Sequence, residues 1–165
     1  MGLDIIKQLA LDFDYFQRRA LLWGRYVQVT ARDVGYVLGI PARGKPVPRL
    51  EMKQKLPVDV QQLSKVSLPS LEDIMMGGRV DSQFRRSFIL YALAVLLCPT
   101  SQIGPAPKHL PCIVDVTNPA EYNWAQFVLD WLCEDIQSFK GDGVGKKSMG
   151  ACIYFLMVGN FLFAN

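Results

Sequence analysis

The sequence predicts a mainly α fold, a compact helical domain with a small β-hairpin near its N-terminus, and three observations carry that expectation. Apolar residues recur at spacings of three and four over 81–97 and 119–140, the period of a helix with one buried face. Two helix-opening signatures stand before helical runs, T-A-R-D at 30–33 and N-P-A-E at 118–121. Strand-like alternation is confined to 20–29, around Gly24–Arg25. With 165 residues, half of them hydrophobic and 20% charged, residues 1–165 fit a single domain that buries about 70% of its unfolded surface.

Each element has its own justification. Residues 3–11 form a short apolar helix, and the ribbon over 20–29 turns at Gly24–Arg25, a pair suited to a tight hairpin. Thr30 caps a helix over 31–38: its hydroxyl accepts from the backbone N–H three residues on, and the Asp33 carboxylate reaches back. Gly39 supplies a left-handed cap and Pro41 blocks continuation, leaving Val34, Val37 and Leu38 as the buried stripe. Residues 40–57 read as a basic, Pro-rich loop. Two short helices follow over 58–66 and 69–76, the second stopped by Gly77–Gly78. Asp81 opens a longer helix to Leu97 that Pro99 ends, with Phe84, Phe88, Tyr91, Ala92, Val95 and Leu96 assigned to the core. Asn118, Pro119 and Glu121 supply the N-cap, the first-turn Pro and the acid of a helix over 119–140. Its apolar stripe is Trp124, Phe127, Val128, Trp131, Leu132, Ile136 and Phe139. A final helix, about 148–158, is apolar nearly all round and needs cover on every side.

Several kinds of chemistry find no support. The stretch SFKGDGVGKKSMG, 138–150, has the residue types of a phosphate-binding loop in the wrong places. Lys140 stands where the opening Gly belongs, and Lys147 where a hydroxyl must reach Mg²⁺. A long helix rather than a buried strand precedes it, so it reads as a basic linker and no nucleotide cofactor is expected. Cys98, Cys112, Cys133 and Cys152 lie 14, 21 and 19 positions apart without a C-x-x-C pair, which points to reduced thiols inside a cell. His109 with Cys98 and Cys112 lacks the close ligand pairs of structural zinc, so no metal is expected. One His and no nucleophile turn leave catalysis without its parts; neither an enzyme nor a catalytic residue is expected. The acidic N-terminus opposes a signal peptide, and the apolar runs 88–98 and 151–164 fall short of the roughly 20 residues that span a bilayer.

Charge is uneven. Residues 16–65 carry ten Lys/Arg against three acids, whereas residues 66–165 carry seven against nine. The basic patch consists of Arg18, Arg19, Arg25, Arg32, Arg43, Lys45, Arg49, Lys53 and Lys55. Without an interleaved stacking motif it predicts weak, salt-dependent contact with nucleic acid.

Four blocks in order carry a resemblance: GRYVQVTARDVGYVLGIPARGKPV, DSQFRRSFILYALAVLLCPTS, EYNWAQFVLDWLCEDIQSFK and KKSMGACIYFLMV. Together they resemble, over about residues 20–158, the helical plant mobile domain of transposon-derived proteins, which also occurs upstream of SUMO-type protease domains. The protease His, Asp and Cys have no counterpart here, so the resemblance implies no catalytic residue. It implies protein interaction or chromatin silencing. The ending Gly159–Asn165 departs from the family pattern and resembles translation past a lost splice site, as in a truncated and repurposed fragment.

The expected function is therefore a non-catalytic protein-interaction module derived from a plant mobile element, working in the nucleus or cytoplasm or reaching an organelle through its partner. A toxin or antidote in a genetic conflict is one form of it, and a basic nucleic-acid or chromatin silencing module is the alternative. Expected partner contacts are Trp124, Trp131, Phe155 and Phe161, the last two on an apolar helix that favours a homo-oligomer or a hetero-complex.

Overall fold

Thr30 shows how the local signals become structure. Its Oγ1 accepts from Asp33 N–H at 3.4 Å, and the Asp33 carboxylate accepts from Thr30 N–H at 2.8 Å. The helix so opened ends at Gly39, whose φ of 68° lies in the left-handed region that a residue without Cβ enters freely. The same logic organises the whole computed structural model, which describes residues 2–49, 55–100, 104–141 and 153–162. In chain order it contains α1 (Gly2–Leu11), β1 (Phe13–Asp14), β2 (Arg19–Leu22), β3 (Arg25–Gln28), α2 (Ala31–Leu38) and α3 (Val58–Gln62). A 3₁₀ turn at Leu63–Lys65 leads to α4 (Leu68–Met76) and α5 (Ser82–Ala92), which runs on as a π turn over Leu93–Leu97. Two more 3₁₀ segments, Pro107–Ile113 and Pro119–Glu121, precede α6 (Trp124–Gly141) and α7 (Ile153–Leu162).

The mainly α prediction with a small N-terminal hairpin is what the structure shows, with three refinements. The ribbon has a third strand, and the antiparallel order is β1-β2-β3. Leu22 pairs with Arg25, so the turn is Trp23–Gly24, one residue earlier than the sequence indicates. The helix expected from Pro119 begins at Trp124 instead. Lys45 N–H donates to Glu121 O and Asn123 N–H donates to Lys45 O, each at 2.8 Å, and this bridge holds Tyr122 extended. Gly44 permits it: a Cβ there would lie 2.1 Å from Glu121 O. Asn123 then acts as the cap, accepting from Gln126 N–H at 3.0 Å.

Helix α6 lies at the centre. Every member of its expected stripe is buried, along with Ala125, Leu129 and Cys133. Helices α1 and α2 pack on it, α7 packs on α1 and α2, and α5 packs on α4 and on the 107–113 segment. The long-range closure is made by Lys140, whose Nζ donates to Leu11 O and Phe13 O at 2.8 Å each. Residues 148–152 of the last expected helix lie outside the described residues.

The core stripe assigned to α5 needs correction. Ser87, Ile89, Leu90, Leu93 and Leu97 are the residues turned inward, while Phe88, Val95 and Leu96 are exposed. Residues 88–98 are an unbroken apolar run, so nothing in the pattern marks the outer face.

Candidate functional site

The displaced stripe of α5 lines an apolar concavity. Asp81 fixes the start of the helix by accepting from Phe84 N–H at 2.9 Å. From there Phe84, Phe88, Ala92 and Leu96 recur every four residues along one side. The rings of Phe84 and Phe88 stack with centroids 6.3 Å apart and planes 7° from parallel. At the far end the Cys98 N–H donates to Leu93 O at 2.8 Å, a bond spanning five residues rather than four. Such π turns occur often at functional sites, because the extra residue re-aims the side chains beyond it.

The opposite wall comes from distant parts of the chain. Leu38, Ile40 and Pro41 follow the left-handed cap of α2, and Pro119, Ala120 and Trp124 follow the bridged loop. Trp124 is fixed by its Nε1–H, which donates to Pro119 O at 2.7 Å, and by edge-on contact with Phe127. The cavity holds about 480 Å³. Its length along α5, from Phe84 to Leu97, is roughly 20 Å at the helical rise. Arg85 is the one charged residue in the lining, and its Nη1 donates to Thr117 O at 2.9 Å at one end of the groove. Phe88, 55% exposed, projects at the rim.

Of the four partner contacts expected from the sequence, Trp124 is largely buried but lines the groove. Trp131 and Phe155 are buried in the chain's own core, and the Phe161 side chain lies outside the described residues. Four members of the basic patch are ion-paired. Arg18 pairs with Asp130 at 3.0 Å, Arg19 with Asp14 at 3.3 Å, Lys45 with Glu121 at 2.8 Å, and Arg49 with both Asp130 and Glu134. The Lys45 ammonium holds the Glu121 carboxyl below the usual range and is itself raised by that hydrogen bond. Arg25, Arg32, Arg43 and Lys55 form no ion pair among the described residues, and Lys53 lies outside them.

The thiols and the single His are core groups. His109 is 0% exposed, its ring 5.0 Å from that of Trp131, and its Nδ1 accepts from Ala106 N–H at 3.3 Å. Burial pushes its pKa down to about 4, with the Cys98 backbone opposing. Burial likewise raises the Cys112 thiol to about 12 and the Cys133 thiol to about 11, which leaves both protonated and unreactive at neutral pH. Cys98, Cys112 and Cys133 are buried thiols that form no disulfide among the described residues. No group of three or more His, Cys, Asp or Glu side chains converges on a metal-sized space among the described residues.

A family model described as "Domain of unknown function (DUF8566)" matches residues 1–157. The chain belongs to the DUF8566 family. The match takes in both walls of the groove and the whole N-terminal sheet, and it ends within α7. No curated protein matches the chain, and no solved structure does. Among the described residues of this DUF8566 member, no helix is long and apolar enough to cross a membrane.

Proposed function

We propose that the chain is a non-catalytic protein-interaction module that takes an amphipathic helix of a partner protein into the groove along α5. The observation that carries this reading is the apolar row of half-buried Phe84 and exposed Phe88 and Leu96 facing a second apolar wall across a 480 Å³ space. A groove roughly 20 Å long matches about 13 residues of helix, and helix-in-groove recognition places apolar anchors at i, i+4 and i+7. Arg85 at one end selects an acidic residue on the incoming helix. The resemblance to the plant mobile domain supports binding rather than catalysis, and the buried, unbridged thiols Cys98, Cys112 and Cys133 support a reducing, intracellular setting. A role in a genetic conflict, in which a small binder occupies an organelle or defence protein, belongs to the same proposal.

Helical-peptide display against the full chain tests it. Selected peptides are expected to share apolar residues at helical spacing with an acid near one end, and to be lost with Phe88→Glu. Peptides without that period, or retained by the variant, would sink the reading. A second copy of the chain is the competing occupant: dimerisation in sedimentation equilibrium that Phe88→Glu abolishes would put the chain itself in the groove.

A further inference from the structure

The β2–β3 hairpin breaks a local rule at its tip. Trp23 has φ 53° and Gly24 φ 75°, the positive pair of a two-residue hairpin turn. Asn or Gly suits the first of these positions, whereas a bulky aromatic residue there is strained. Trp23 recovers little of that strain inside the molecule, because it is 78% exposed. A strained residue with no internal reward is a pointer to an external one.

What surrounds it gives the partner its chemistry. Arg25, exposed and without an ion pair among the described residues, follows the turn. Tyr26, 58% exposed, stands next, with the Arg19 guanidinium 4.1 Å from its ring centroid. Tyr26 also lines a cavity of about 250 Å³ together with Tyr15, Leu21, Lys140 and the carboxylates of Asp12 and Asp14. Lys140 Nζ lies 5.9 Å from the Tyr15 ring. Asp14 is paired with Arg19, and Asp12 accepts from Gln8 Nε2 at 3.1 Å.

We propose that this hairpin and its cavity bind single-stranded nucleic acid, with Trp23 and Tyr26 as stacking platforms and Arg19 and Arg25 as phosphate contacts, while Lys140 stays on the carbonyls of Leu11 and Phe13. Stacking on aromatic rings and guanidinium planes beside backbone-tracking cations is how unpaired bases are held. The two carboxylates fit that ligand as well, since Asp accepts from the amino group of cytosine. An anionic bilayer is a poorer match, because it is flat where the site is concave. The surface is separate from the α5 groove and does not depend on it.

The experiment uses the full chain and a labelled single-stranded oligo(dC), followed by fluorescence anisotropy. Trp23→Asn is the informative variant, because Asn–Gly is a preferred pair for this turn and the fold is expected to melt at the same temperature or higher. The expected result is binding at about 50 mM salt with a log–log salt slope of about −1.4 for two phosphate contacts. Trp23→Asn should weaken it by roughly tenfold, and Phe88→Glu should leave it unchanged. Unaltered binding by Trp23→Asn, equal affinity for duplex, preference for anionic vesicles, or no binding at low salt would each overturn the assignment.

Discussion

Helices α5 and α6 are both rich in apolar residues, yet α6 turns all seven members of its expected stripe inward while α5 leaves Phe88, Val95 and Leu96 outside. The difference lies in how each sequence marks its outer face. Along α6, Asp130, Glu134 and Gln137 recur at helical spacing and fix the rotation of the helix. Along α5, the run from Phe88 to Cys98 has no charged residue, so more apolar surface exists than α4 and the 107–113 segment cover. One face goes to the core, and the surplus becomes the groove.

The sharpest test of that contrast is at Trp131, which touches both Phe127 and His109. Trp131→Ala should cost about 3–5 kcal/mol in denaturant unfolding; a loss below about 1 kcal/mol would show that α6 is not the organising element. Acid should weaken the same region. His109 has a folded pKa of about 4, below the ordinary value of 6.5, so the unfolded chain takes up the proton first. Its contribution is full above about pH 6.5 and is lost as pH falls to about 4, amounting to about 3 kcal/mol. Comparing the chain with His109→Gln between those limits isolates it from the carboxylates, and parallel pH profiles would contradict it. The smallest effect belongs to α5: Phe88→Glu should change stability by less than about 0.5 kcal/mol, as exposed positions do. A loss of several kcal/mol would mean that Phe88 is core after all and that the two helices do not differ.

These contrasts also explain what was legible. Caps that depend on one or two side chains, such as Thr30 with Asp33 and Asp81 with Phe84 N–H, could be read directly, because the chemistry is local. The late start of α6 could not, since it depends on a bridge between Lys45 and Tyr122 far apart in the chain. The turn at Trp23–Gly24 was shifted for a related reason: propensity disfavours Trp there, and the strand register overrides it. The groove was hidden because residues 88–98 carry no marker of rotational phase. Its second wall, from Leu38 to Pro41 and Pro119 to Trp124, has no signature in any one segment. The basic patch was visible in composition, but the acids that neutralise Arg18 and Arg49 are more than eighty residues away.

The Lys140 ammonium, fastened to the carbonyls of Leu11 and Phe13, has a consequence for how the protein is made. Synthesis proceeds from the N-terminus at about 5–20 residues per second, so the first sheet emerges well before the helix that closes over it. Until α6 leaves the ribosome, Phe13, Val29 and Val34 have no lasting cover, and the nascent chain shows these apolar side chains to whatever is nearby. Chaperone demand during translation should therefore peak late, and a stall before residue 124 leaves a product that cannot complete itself.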